Sequence, residues 1–183
     1  MTKFTNVIVR RAPKSIVNAY SGTPELGRPD YDLAIEQHDA YIAALRQCGV
    51  DVTVLPAIEY LTNSVFVEDP ALITRKGAII CNPGMSIRNP ERVEIEPAVR
   101  KFFTSDQIAY IELPGTLEGG DVMMVGDHFY VGRSSRTNPE GIRQFLAILE
   151  SWGLEGSEVT LDHTLHLKTG VNYLENKNLL VAG

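Results

Sequence analysis

Short apolar runs and helical stripes alternate along most of the chain. Residues 6–10 (NVIVR) make a β-branched run stopped by Pro13, and residues 51–55 (DVTVL) alternate as a strand that stops at Pro56. Between them Ala34, His38, Tyr41, Ile42, Leu45 and Cys48 fall on one face of a helix. Asp30 or Asp32 can cap it, and Gly49 follows its end near residue 48. His38 reads as a core or boundary histidine. Residues 15–29 are polar and turn-rich, so they read as a long loop, either a lid or binding loop or a disordered stretch.

From residue 64 a pattern recurs. A polar loop ending in Glu68-Asp69-Pro70 precedes a hairpin of residues 71–74 and 78–81 turning at Arg75-Lys76-Gly77, then a helix over 91–103 and a strand over 108–113. The next loop, Thr116 to Asp121, precedes a hairpin turning at Gly126-Asp127. A helix then runs from the N-cap pair Asn138-Pro139 to Trp152, closed by Gly153, and a strand over 158–161 follows. The third loop, from His163 to Lys168, precedes a hairpin of residues 170–174 and 179–182. The marker residues Asp69, Asp121 and His166 are 52 and 45 positions apart, within the repeat lengths of propellers and arrays. If such units pack around an axis, their loaded loops converge on it. The edges do not match: the strand over 6–10 stands alone and the last residues stop inside a strand. A truncated piece of a longer protein and an incomplete ring are the two readings, and open strand edges make a homodimer one expected assembly.

Composition changes this picture little. The 183 residues, 44% hydrophobic and 22% charged, suit one domain with a sizeable core. A net charge of -6 with scattered Lys and Arg excludes a nucleic-acid footprint. With neither a leader pattern nor a membrane-length apolar run, a soluble, cytoplasmic protein without a membrane partner is expected. Cys48 and Cys81 have no metal-ligand or redox spacing and are expected to pack as small hydrophobes.

The chemistry concentrates in the three loops. In Glu118-Gly119-Gly120-Asp121 the glycine pair permits either positive φ or close approach of another group, as a site needs; a turn with solvated acids is the alternative. Glu68 and Asp69 are adjacent, so both reach one ligand only where the backbone is irregular, which Pro70 favours. Two inward carboxylates would suit a guanidinium, although a solvated acidic turn is the plainer reading. His166 is the candidate general acid or base, with Glu118 to orient it; on pattern alone His163 serves equally. Their three-residue spacing is a weak metal pattern, and no metal is expected. Arg88 and Arg136 lie in loops before helices, where either can clamp a carboxylate bidentately. Together these residues suit a small-molecule substrate, a zwitterionic amino acid with a cationic far end.

Four ordered motifs carry a resemblance: Phe66-Val67-Glu68-Asp69, Leu117-Glu118-Gly119-Gly120-Asp121-Val122, Val131-Gly132-Arg133-Ser134-Ser135-Arg136-Thr137-Asn138 and Leu165-His166-Leu167-Lys168-Thr169-Gly170. They resemble dimethylarginine dimethylaminohydrolases of the guanidine-modifying (pentein) superfamily, bacterial ones above all, over essentially the whole chain. The resemblance implies an α+β fold, a pentein-type α/β propeller of ββαβ units, here about three to four of five. Residues 1–183 would form a single domain, truncated at its C-terminus. It implies hydrolysis of asymmetric dimethylarginine to citrulline and dimethylamine by a Cys-His covalent mechanism without cofactor. His166 would be the acid/base, Glu118 its partner, Glu68 and Asp69 the guanidinium ligands, Arg88 and Arg136 the carboxylate ligands, and Tyr20 a lid residue. Two departures stand out. The family's nucleophilic cysteine lies beyond this sequence, so the chain as given is expected to be inactive. Asn63 replaces a common aspartate of the guanidinium site, leaving open citrulline or another ureido or guanidino substrate. A non-catalytic binder of an arginine-like ligand is the remaining alternative.

Overall fold

The structure, a computed structural model, describes residues 4–20, 24–162 and 164–182. Its contacts gather into two compact units, one up to Val67 and one from Glu68 onward.

In the first unit β1 (Asn6–Arg10) and β2 (Asp51–Leu55) pair in parallel, Val9 opposite Val54. A parallel pair needs a crossover, and α1 (Tyr31–Gln47) supplies it. Asp30 caps the helix, accepting the Leu33 N–H at 2.8 Å, and Gly49 leaves it at a φ of 80°. Ile42 is buried, with Ala34, Ile35, His38 and Leu45 half-buried beside it. Tyr41 and Cys48, expected on this face, are exposed, because the buried stripe is rotated toward Ile35. The expected loop of residues 15–29 contains two 3-10 turns, Lys14–Asn18 and Pro24–Leu26. The first is anchored by Glu59, whose carboxylate accepts the N–H groups of Lys14 and Ser15. Residues 21–23 of the proposed lid lie outside the described residues.

The second unit carries the repeat. β3 (Ala71–Ile73) and β4 (Ala78–Ile80) form an antiparallel hairpin, α2 (Pro90–Val99) follows, and β5 (Ile108–Tyr110) returns parallel to β4. The next copy is β6 (Val122–Val125), β7 (His128–Arg133), α3 (Pro139–Ser151) and β8 (Glu155–Thr160), with the same directions. A third hairpin joins β9 (Val171–Tyr173) to β10 (Leu179–Val181).

Three boundaries differ from expectation by about three residues or more. α2 stops at Val99, and the N–H groups of Phe102 and Phe103 fold back onto the Val99 carbonyl. β5 stops at Tyr110 because the Glu112 N–H turns aside to the Gln144 side chain at 2.8 Å. β8 begins at Glu155: Gly153, at a φ of 66°, reverses the chain at once, and β7 offers six partners to a segment too polar to read as strand.

The core of this unit packs Phe129 edge-on against Phe145, ring centroids 6.1 Å apart, among Leu72, Ile79, Leu117 and Val131. Cys81 lies in this core as a small hydrophobe. Leu117 and Val122, both buried, pin the ends of the Glu118 to Asp121 segment. Among the described residues no helix is long and apolar enough to cross a membrane.

Candidate active site

The loops that precede β3, β6 and β9 meet. Gly120 N–H donates to Asp69 Oδ1 at 2.9 Å, Gly119 N–H to the Asp69 carbonyl at 3.2 Å, and Leu167 N–H to Asp121 Oδ1 at 3.1 Å. The glycine pair serves close approach rather than positive φ. A Cβ on Gly119 would lie 2.1 Å from the Glu68 carbonyl oxygen, and one on Gly120 would lie 2.9 Å from the His166 ring. The two readings of this segment therefore resolve toward packed neighbours rather than a solvated turn, since Glu118 and Asp121 are both buried.

His166 stands between two carboxylates: Nε2 is 3.5 Å from Glu118 Oε2 and Nδ1 is 3.3 Å from Asp121 Oδ1. Both separations are long for charge-assisted hydrogen bonds, and buried Nδ1 has no well-formed one. Burial alone would lower the imidazole's pKa, but Asp121 first, then Asp69 and Glu118, outweigh it and move it up. Glu118 is also pushed up, by burial first and then by the Asp69 carboxylate, against the opposing charges of Arg88, His166 and Arg136. Its Oε1 accepts the Gly84 N–H at 3.1 Å.

Arg88, buried at the end of the 3-10 turn Ser86–Arg88, is held by carboxylates. Its Nε and Nη2 pair with the two oxygens of Glu91 at 3.0 and 2.7 Å, and Nη1 donates to Asp69 Oδ2 at 2.7 Å, 3.6 Å from Glu118 Oε2. Arg136 is buried in the loop before α3, its backbone so close to Gly84 that a Cβ there would meet its carbonyl at 2.5 Å.

The structure thus brings Asp69, Glu118, His166 and Arg88 together, with Arg136 close enough to act on the Glu118 charge. Glu68 parts from Asp69: its side chain is largely exposed and pairs with Lys168, so the two adjacent carboxylates do not converge. Tyr20 and Asn63 belong to the first unit, where Tyr20 is exposed and half-buried Asn63 accepts the Thr62 hydroxyl at 3.1 Å. His163 lies outside the described residues. Three participants escaped sequence reasoning: Glu91, Gly84 and the role of Asp121. Only Glu91 left a signal, its three-residue spacing from Arg88 across a helix start.

One donor from each of Asp69, Glu118 and His166 lies within 4.8 Å of the others, as a metal would require. The donor set is already matched to a cation of the protein's own, the Arg88 guanidinium. Cys81 is unsuited to attack: burial first, then the Asp69 carboxylate, push its thiol's pKa far up and keep it protonated.

These shifts set a pH dependence. The fold raises the His166 pKa, so this group's stabilising contribution is full below the ordinary value of 6.5 and is lost as pH rises through the raised one. Raised Glu118 adds the same sign, starting from its ordinary 4.5. Urea unfolding from pH 5 to 9 is expected to show stability declining above about 6.5, and His166→Gln is expected to flatten that decline.

Strand-strand-helix-strand units whose polar loops carry an imidazole among carboxylates and arginines define a pentein-class protein. The N-terminal domain of a cyanobacterial arginine dihydrolase, 16% identical, has the same fold, with a TM-score of 0.79 over 96% of this chain and 66% of that one. The family model described as N,N dimethylarginine dimethylhydrolase, eukaryotic, matches residues 28–175. The N(G),N(G)-dimethylarginine dimethylaminohydrolase of Pseudomonas aeruginosa is 53% identical over 180 residues, 98% of this chain and 70% of the relative. The protein of that name from Streptomyces coelicolor is 35% identical over 173 residues, 94% of this chain and 66% of the relative. A solved structure of the Pseudomonas protein, a cysteine-to-serine variant complexed with citrulline, has a TM-score of 0.96 and 52% identity, covering 100% of this chain and 71% of that one. This chain belongs to the dimethylarginine dimethylaminohydrolase family.

Proposed function

We propose that this chain supplies the acid/base and ion-pairing part of a hydrolase that converts asymmetric dimethylarginine to citrulline and dimethylamine. The observation that carries the reading is the His166 imidazole held between Glu118 and Asp121 with its pKa raised, beside Asp69 and Arg88. A cysteine thiolate attacks the guanidinium carbon. His166, as the imidazolium, gives its proton to the departing dimethylamine, leaving a thiouronium adduct on sulfur. The neutral ring then takes a proton from water as it attacks, and collapse of that adduct frees the thiol and citrulline. Asp69 holds the guanidinium; Glu118 orients the ring; Arg88, itself steadied by Glu91, and Arg136 hold the α-carboxylate. Cys81, buried with its thiol's pKa pushed far up, does not fit the nucleophile's role.

A second reading rests on Asn63, which removes a negative charge where the family commonly carries one and favours a neutral ureido substrate. The test is a chimera of this chain with the part of the Pseudomonas relative that it does not match. Citrulline and dimethylamine release from dimethylarginine is expected, with kcat/KM for dimethylarginine rising on Asn63→Asp. Preference for ureido substrates would establish the second reading. Binding of methylarginines by calorimetry without turnover would leave a ligand-binding protein.

A further inference from the structure

We propose that Asp121 is a positioning residue for His166: its buried carboxylate keeps the imidazole proton on Nδ1 and ties the His166 turn to the loop that carries Arg136. The inference rests on His166 being the acid/base of the reading above.

The Asp121 side chain is completely buried, with four groups around its two oxygens. Oδ2 accepts the Ser134 and Thr137 hydroxyls, each at 2.6 Å. Oδ1 accepts the Leu167 N–H at 3.1 Å and faces His166 Nδ1 at 3.3 Å. A carboxylate only accepts, so both hydroxyls donate to it and the group facing it from the ring must be an N–H. The opposite tautomer would set the Nδ1 lone pair against Asp121, the nearer carboxylate, whereas Glu118, 3.5 Å from Nε2, also faces the Arg88 guanidinium and is itself pushed toward its protonated form by burial and the Asp69 carboxylate. Nε2 is therefore left as the atom that takes and returns the proton, on the side of Glu118. A carboxylate behind an imidazole commonly fixes its tautomer and raises its basicity in this way.

The second half of the inference concerns Ser134. While donating to Asp121, its hydroxyl oxygen accepts the backbone N–H groups of Arg136 and Thr137 at 3.0 and 3.2 Å. The Thr137 hydroxyl, besides donating to Asp121, accepts the Glu118 N–H at 3.2 Å. One carboxylate thus sets the His166 ring, the Glu118 backbone and the Arg136 loop relative to one another. Two side chains that no catalytic role requires, Ser134 and Thr137, are explained as its donors. The other charges facing His166 are Asp69 and Glu118 from their loops, while Lys168 on its own turn is paired with Glu68.

The test is nitrogen-15 NMR of the His166 imidazole in the full 183-residue chain, followed through a pH titration. It needs no turnover, so its failure is separable from failure of the hydrolase assignment, which the chimera reads. The wild-type neutral ring is expected as the Nδ1–H tautomer. Asp121→Asn is expected to lower the titration midpoint by about one pH unit and to admit the Nε2–H form. Should that variant not fold, Ser134→Ala and Thr137→Ala leave the carboxylate in place but remove donors from Oδ2. Each is expected to keep the Nδ1–H tautomer and to raise the midpoint, since a less solvated carboxylate attracts the proton more strongly. A wild-type ring in the Nε2–H form overturns the proposal, as does a midpoint unmoved in all folded variants.

Discussion

Replacing His166 with Ala is expected to reduce kcat for dimethylarginine in the chimera by about 10²–10⁴-fold while leaving binding largely intact. The ring is the one group in the described site able to exchange a proton near neutral pH, and the raised pKa keeps it cationic when dimethylamine must be protonated to leave. In the proposed reaction substrate binding rests on other side chains, Asp69, Arg88 and Arg136, so the loss belongs in kcat rather than KM. Since Gly120 packs against the ring, His166→Gln, which refills more of that space, separates lost packing from lost proton transfer. Both variants should be comparably impaired, and the defect should be largest where the wild-type ring is still cationic and shrink at higher pH, where that ring too can no longer donate. A fall of less than tenfold in either would remove His166 from the reaction.

The second large effect is on stability. Arg88→Met, close in volume, is expected to destabilise the chain by about 3–5 kcal/mol in urea unfolding at neutral pH. Arg88 is buried with Asp69, Glu91 and Glu118 around it, their side chains 11%, 3% and 1% exposed. Removing its charge strands three carboxylates with little water to replace it, and removes donors at 2.7 to 3.0 Å. Acidification should shrink the deficit, because protonating the stranded acids relieves their repulsion. Arg92→Met, on the helix that follows, is the control: its partner Glu112 is 67% exposed and 3.5 Å away, and its one bond to a buried group is to the Ile111 carbonyl at 3.2 Å, so a loss of at most about 1 kcal/mol is expected. Comparable losses in the two variants would show that the Arg88 cluster has no special weight.

Much of the fold was legible because it is written in local signals. Asn138-Pro139 starts α3, Gly153 ends it, and the turns at residues 75–77 and 126–127 separate strands of alternating or apolar composition. Legibility failed where a partner overrode the local pattern. The strand read over 158–161 leaves out residues 155–157, yet β7 recruits them into a ladder; the 108–113 run reads as one strand, yet Gln144 draws Glu112 away after Tyr110. Likewise, Cys48 reads as a small hydrophobe and stands in solvent.

The Glu118-Gly119-Gly120-Asp121 segment marks the boundary between the two kinds of information. Sequence by itself determined the repeat, the place of each polar loop ahead of its hairpin, the family, and the need for a close approach or an unusual φ at the glycine pair. All of these depend on spacing along the chain, which a sequence records directly. Tertiary structure alone decided what approaches those glycines, namely the Glu68 carbonyl and the His166 ring. It also decided that adjacent Glu68 and Asp69 part company, that Glu91 takes the Arg88 fork, and that Asp121 stands behind His166. The physical reason is that an ion pair or hydrogen bond is settled by ångström separations in space, which spacing along the chain does not record, with burial setting its strength.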